Sequence, residues 1–171
     1  MPPNNEPAER HTLSMLVDNE PGVLARIVGL FSGRGYNIDS LTVSEVSHES
    51  HRSRITIVTT GAPMIIEQIK SQLDRLVPVH RVIDLTVSGK ALERELALIK
   101  VRGSGESRRE ALLIADSFRA RTVDTTLESF VFEITGKPDK IDQFVSLLAP
   151  LGLVEVSRTG VAAIGRGPEG M

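Results

Sequence analysis

The 171-residue chain has no cysteine and no tryptophan, and aromatic residues make up only 4% of it. Without cysteine there are no disulfides, thiol nucleophiles, CxxC redox pairs or thiolate metal sites. That absence also fits a reducing compartment. A large excess of either charge is missing too: the formal net charge is −2. No long-range pull toward nucleic acid or an anionic membrane follows from so small a charge. No apolar run approaches the length of a membrane span, and the opening MPPNNEPAER lacks the pattern of a signal peptide. The expected location is the cytoplasm.

What is present is an ordinary globular balance, 40% hydrophobic and 25% charged, in a length that suits one medium domain or two small ones. The chain is organised around Leu13 to Leu41, LSMLVDNEPGVLARIVGLFSGRGYNIDSL. Leu13 to Val17 is a short apolar strand, and Asp18-Asn19-Glu20-Pro21-Gly22 breaks it. Val23, Leu24, Ile27, Val28 and Phe31 then recur at the spacing of a half-buried helix. Gly33 and Gly35 stop that helix, and Tyr36 to Val46 resumes as a strand.

The turn carries the chemistry. The first N–H groups of a helix lack intrahelical partners, and the helix dipole makes that end weakly positive. A carboxylate can bind there. Gly22 places no side chain in the way, and Pro21 suits a first turn, where its missing N–H matters least. Asn19 and Asn37 add amides that both donate and accept. If the first two strands lie side by side, Asn37 starts its strand close to the turn. The spot would then hold a carboxylate, an ammonium and an apolar side chain, that is, an amino acid. The same Asn-Glu-Pro-Gly run also reads as an ordinary turn.

Residues 1–10 read as a loose tail, and the first strand begins at His11. After the polar loop SHESHRS, the β-branched run RITIVTT (Arg54–Thr60) reads as a third strand. Met64 to Leu76 reads as a second helix with Ile65, Ile69, Leu73 and Leu76 inward. Val79, Ile83, Leu85 and Val87 alternate with polar residues and predict a one-sided fourth strand, with Arg81 out of pattern. Ser88-Gly89-Lys90 marks a boundary.

The order then repeats in architecture, though not in sequence. Glu95–Arg102 reads as a strand and Glu106–Arg119 as a helix with Ala111, Leu112, Ala115 and Phe118 inward. Strands over Thr122–Leu127 and around Phe130, Phe132 and Ile134 follow. A helix carries Ile141, Phe144, Val145 and Leu148 inward, and Leu153–Arg158 closes the unit. Val161–Ile164 extends that strand or pairs elsewhere. The expectation is an α+β fold of two ferredoxin-like βαββαβ units in tandem. Units of about 75 residues bury limited area, and their edge strands need cover, so a homodimer is expected.

Other chemistries find less support. His48 and His51 sit three apart beside Glu49, but metal sites need convergent ligands and a second shell, and the loop reads as solvated. No serine lies in a G-x-S-x-G elbow. Gly103-Ser104-Gly105 matches neither a Walker motif nor G-x-G-x-x-G. An RNA-binding module shares the βαββαβ order, but it stacks bases on aromatics. Here Tyr36 is the single tyrosine, and Phe130 and Phe132 fall on a core face.

The run DNEPGVLARIVGLFSGRGYNIDSL, residues 18–41, resembles the opening of the small, regulatory subunit of acetohydroxyacid synthase (acetolactate synthase). The resemblance continues through LTVSEVSHESHRSRITIVTTG, QLDRLVPVHRVIDL, ERELALIKV and VEVSRTGVAAIGRG, and covers about Thr12 to Gly167. The N-E-P-G turn alone would indicate only an ACT domain, a small-ligand sensor. The G-L-F-S-x-R-G-Y-N-I-x-S-L continuation narrows it.

The resemblance implies an ACT domain over residues 11–89 and the family's second ferredoxin-like domain over 90–171. It implies a chain without activity of its own and without a cofactor. That chain would bind and activate a large catalytic subunit carrying thiamine diphosphate, Mg²⁺ and FAD. It would also confer feedback inhibition by a branched-chain amino acid, valine foremost. The effector would sit at the interface of two ACT domains. Asn19 and Gly22 match the family's effector-contacting turn, with Val23 and Leu24 supplying N–H groups and apolar contact. Asn37 and Ile38 match the contacting start of the second strand. The second unit has GSGESR in place of the turn, so no equivalent site is expected there. Two other readings stay open. A free-standing ACT sensor would serve another amino-acid enzyme. A ferredoxin-like enzyme would need a nucleophile or an acid–base pair that the sequence does not display.

Overall fold

A computed structural model describes residues 7–87, 89 and 91–171. The chain runs β1 (Glu9–Asp18), α1 (Val23–Ser32), β2 (Ser40–Ser47), β3 (Arg52–Gly61), α2 (Pro63–Asp74) and β4 (Val79–Asp84). It continues with β5 (Ala91–Arg102), α3 (Gly105–Ser117), β6 (Arg121–Thr125), β7 (Ser129–Gly136), α4 (Pro138–Leu148), β8 (Leu153–Arg158) and β9 (Ala162–Gly165). Two βαββαβ units in an α+β fold are therefore present, and the two sheets share one topology, β2-β3-β1-β4 and β6-β7-β5-β8.

In the first unit β1 lies between β3 and β4, antiparallel to both. Leu13, Met15 and Val17 of β1 and Ile55 and Ile57 of β3 alternate toward the helices, as a period of two requires. They meet Val23, Ile27 and Phe31 of α1 and Ile66, Ile69 and Leu73 of α2 in one core. Phe31 is fully buried, and its truncation to alanine costs about 3–5 kcal/mol. Tyr36–Asp39 does not continue as strand. Asp39 N–H donates to Val58 O at 2.8 Å, and pairing starts at Ser40.

The fourth strand is not one-sided. A register shift between Leu16 and Val17 moves Val79 and Val82 toward the helices. Ile83 and Leu85 fall on the opposite face, and Val87, outside the strand, is exposed. Arg81 is therefore in pattern with Ile83. A bulge offsets the alternation by one residue and twists the strand, which a strict period of two misses.

That opposite face has its own cover. Val161 and Ala163 join Val58 and Leu85 in a small apolar cluster. Val161 N–H donates to Ser40 Oγ at 2.8 Å, and Thr42 Oγ1 donates to Val161 O at 2.8 Å. The compact units accordingly comprise residues up to Leu92 with Val161–Met171, and Glu93–Gly160. The second domain expected over 90–171 thus gives up 161–171 to the first compact unit. Ser88 and Lys90, in its boundary tripeptide, lie outside the described residues.

The second unit packs Ala97, Ile99, Val101, Phe130, Phe132 and Ile134 against Ala111, Ala115, Ile141, Phe144 and Leu148. Phe132 meets Phe144 edge-on, with centroids 6.2 Å apart, a favoured aromatic geometry. Leu112 stays on the exposed side of α3, because the small residues Ala111 and Ala115 take the inward face. Glu95 is buried, and Arg158 donates to it from Nε at 2.9 Å and a terminal nitrogen at 2.8 Å. That bidentate bond to Glu95, with Asp142 adding to it, pushes the Arg158 pKa further up.

Candidate functional site

The Asn19–Gly22 turn is pinned by backbone before any ligand is considered. Asp18 N–H donates to Pro78 O at 2.8 Å, and Asn19 N–H donates to His51 O at 2.7 Å. Asp18 Oδ1 also lies 2.5 Å from His80 Nε2. The turn thus leaves the sheet between the β2–β3 hairpin and the start of β4. That pairing joins residues 62 positions apart, on adjacent strands, so no local pattern announces it.

Gly22 is the residue that opens α1. Its φ is +87°, a left-handed value that costs an L-residue about 1–2 kcal/mol and costs glycine nothing. A Cβ there would meet nothing within 4 Å, so conformation rather than space selects glycine. The first helical bond runs from Arg26 N–H to Gly22 O at 3.0 Å, while Val23 N–H reaches back to Glu20 O at only 3.4 Å. Among the described residues no side chain caps this end, and its first turn has no acidic residue. The leading N–H groups of α1 and the positive end of its dipole are left for an outside anion. Asn19 and Gly22 are exposed, Leu24 is 40% exposed, and Val23 is buried at 5%. The N–H donors, one amide and one apolar side chain therefore share this end.

Asn37 and Ile38 are elsewhere. Thr59 Oγ1 donates to Asn37 O at 2.7 Å, and Asn37 Nδ2 donates to Asp39 Oδ1 at 2.8 Å. Ile38 packs against the core. Thr59 pairs with His11 at the first end of β1, whereas the turn sits at the last end, beside Arg52. Seven residues of β3 at about 3.3 Å each put roughly 23 Å between those ends. The expectation that Asn37 starts its strand close to the turn is therefore wrong within one chain. The first two strands are not neighbours, since β3 lies between them. Helix α1 carries the chain back to the far end before β2 begins.

Beyond these, the edge strand β2 exposes Val43 at mid-strand and Val46 toward the end that carries the turn. The helix that opens the second unit differs: α3 holds Glu106 in its first turn, so an anion is already supplied. His48 bonds Glu45 at 3.2 Å and faces His51 with ring centroids 6.0 Å apart. Among the described residues no three or more His, Asp or Glu side chains are placed to hold a metal ion. None of their helices is long and apolar enough to cross a membrane.

Residues 13–81 match the family model described as the AHAS small subunit-like ACT domain, and residues 94–167 match that of the small subunit of acetolactate synthase. The acetolactate synthase small subunit of Mycolicibacterium smegmatis is 41% identical over 94% of this chain and 94% of its own. That of Haemophilus influenzae is 43% identical over 92% and 96%. The crystal structure of the small subunit from Thermotoga maritima superposes with a TM-score of 0.83 at 38% identity, covering 94% of this chain and 99% of that one. The chain belongs to the family of acetolactate synthase small subunits.

Proposed function

We propose that this chain is the regulatory, non-catalytic partner of a large acetolactate synthase subunit. It raises the activity of that subunit and confers feedback inhibition by a branched-chain amino acid, valine foremost. Thiamine diphosphate, Mg²⁺ and FAD belong to the catalytic partner. The observation that carries this reading is the uncapped, acid-free N-terminus of α1 behind Gly22, with Asn19 exposed beside it. That end can take a carboxylate, and the exposed Leu24 can take an aliphatic side chain.

A second copy of the chain supplies the rest. The turn and the end of β2 share one end of the sheet, and Asn37 and the start of β2 share the other. Antiparallel pairing of two β2 edges therefore brings Asn37 and Ile38 of one copy toward the turn of the other. An effector bridging the two favours one arrangement of the dimer, and it can shift that equilibrium only by its difference in affinity for the two states. Burying a valine-sized side chain contributes about 1.5–3 kcal/mol, which separates valine from alanine. One methylene separates it from leucine or isoleucine by only about 1–3 kcal/mol.

The test is calorimetric titration of the purified chain, and of the chain reconstituted with the large subunit, against valine, leucine, isoleucine and alanine. Saturable binding of a branched-chain amino acid, lost in Asn19→Ala, is the expected result. Binding that survives that change unaltered would sink the site. A chain that neither binds nor activates the large subunit would instead be a free-standing sensor.

A further inference from the structure

The sheet face turned away from α1 and α2 carries a feature that the effector turn does not use. Residues 164–171 cross this face and enclose a cavity of about 460 Å³ against β1, β3 and β4. Arg54 and Arg81 both line it. They lie in one row across the sheet, because each is in register with Leu16, one on either side. Two strand spacings put their Cα atoms about 10 Å apart, so both guanidinium groups can close on one ligand.

Among the described residues, no carboxylate neutralises either arginine. Arg54 Nε is buried without a hydrogen-bond partner, a costly state for a cation on a central strand. Arg81 makes one long bond, 3.4 Å to Gly170 O. Three arginines and one glutamate, Glu169, line the cavity, and among the described residues no ion pair joins any of these arginines to a carboxylate. Ser14 Oγ, one step along β1, donates at 3.2 Å to Met171 Sδ, a weak acceptor that an anion would displace. Ile83, Leu85 and Ile164 form an apolar wall beside these donors.

We propose that this cavity is a second ligand site, distinct from the α1 turn, which binds a small aliphatic carboxylate between Arg54 and Arg81. The paired guanidinium forks match a carboxylate in geometry and charge. The wall of Ile83, Leu85 and Ile164 takes a short branched body. The surplus of positive charge selects against an ammonium group, so a simple carboxylic acid is preferred to the corresponding amino acid.

Calorimetry and thermal unfolding of the full chain with isovalerate, leucine and inorganic phosphate test this. Isovalerate is expected to saturate at one site per chain and to bind at least tenfold more weakly to Arg54→Met and Arg81→Met. Its binding to Asn19→Ala should be unchanged. Arg81 lies exposed on an edge strand, so that variant keeps the test sound if Arg54→Met folds poorly. Absence of isovalerate binding, binding lost in Asn19→Ala but kept in both arginine variants, or phosphate binding more tightly than isovalerate would each overturn the assignment. So would Arg54→Met raising the melting temperature with no ligand bound by the wild type, which would mark Arg54 as a buried cation only.

Discussion

Gly22 shows how one residue sets the chemistry of a helix end. Its left-handed φ lets the chain turn from β1 into α1 without a side chain over the leading N–H groups. Two substitutions separate conformation from charge. Gly22→Ala adds about 1–2 kcal/mol of backbone strain but leaves the anion site open, and is expected to lower the melting temperature while retaining effector binding. Gly22→Asp adds a carboxylate at the positive end and is expected to abolish effector inhibition while activation of the large subunit persists. Inhibition assays on the reconstituted enzyme read both, and an Asp variant that remained fully inhibited would remove Gly22 from the site.

Arg158 neutralises the buried carboxylate of Glu95. It is a third exposed, but Glu95 beneath it is 5% exposed. Arg158→Met leaves a buried carboxylate without its cation, and is expected to cost about 3 kcal/mol in denaturant unfolding. The pKa of Arg158 is raised on folding. Its contribution is therefore fully present below the unfolded arginine value and is lost only as pH rises through the still higher folded value. The arginine itself should add no pH dependence to stability across the neutral range.

At the scale of elements, the segment after β8 has the clearest consequence. Val161 and Ala163 cover Val58 and Leu85 on a sheet face that would otherwise meet water. Val161→Asp places a charge in that cluster and removes its packing. The expected loss is about 2–4 kcal/mol, read as an earlier unfolding transition. Unchanged unfolding would mean that the segment does not rest on this face in solution. The segment also roofs the arginine-lined cavity, so the same variant should weaken isovalerate binding there.

At the scale of the whole molecule, the proposed effector site needs a partner. One chain places its turn and its Asn37 at opposite ends of a sheet, so a site that uses both needs two chains. Val43 and Val46 on the β2 edge are exposed, and an unpaired edge with apolar residues invites a partner strand. Val43→Lys is expected to shift sedimentation equilibrium toward monomer and to weaken effector binding by at least tenfold. A variant that remained dimeric with full binding would place the interface elsewhere.

Much of this was determined by the sequence alone. The alternation in RITIVTT, the helical spacing from Val23 to Phe31 and the turn at Asn19–Gly22 are local patterns, and each fixes an element from residues a few positions apart. The repeat of βαββαβ order and the family resemblance follow from the same local information summed over the chain. Tertiary structure alone decided three things. The bulge opposite Leu16 turned Arg81 and Ile83 to the face away from the helices, since a one-residue shift in pairing appears in no local period. The segment after β8 folded onto the first sheet, since nothing in VAAIG states which apolar face it will cover. Asn37 was set at the opposite end of the sheet, about 23 Å along the strands from the turn, because α1 packs back across the sheet and returns the chain to the first end of β1 before β2 begins. Each of these depends on contacts between residues far apart in sequence, which local patterning does not encode.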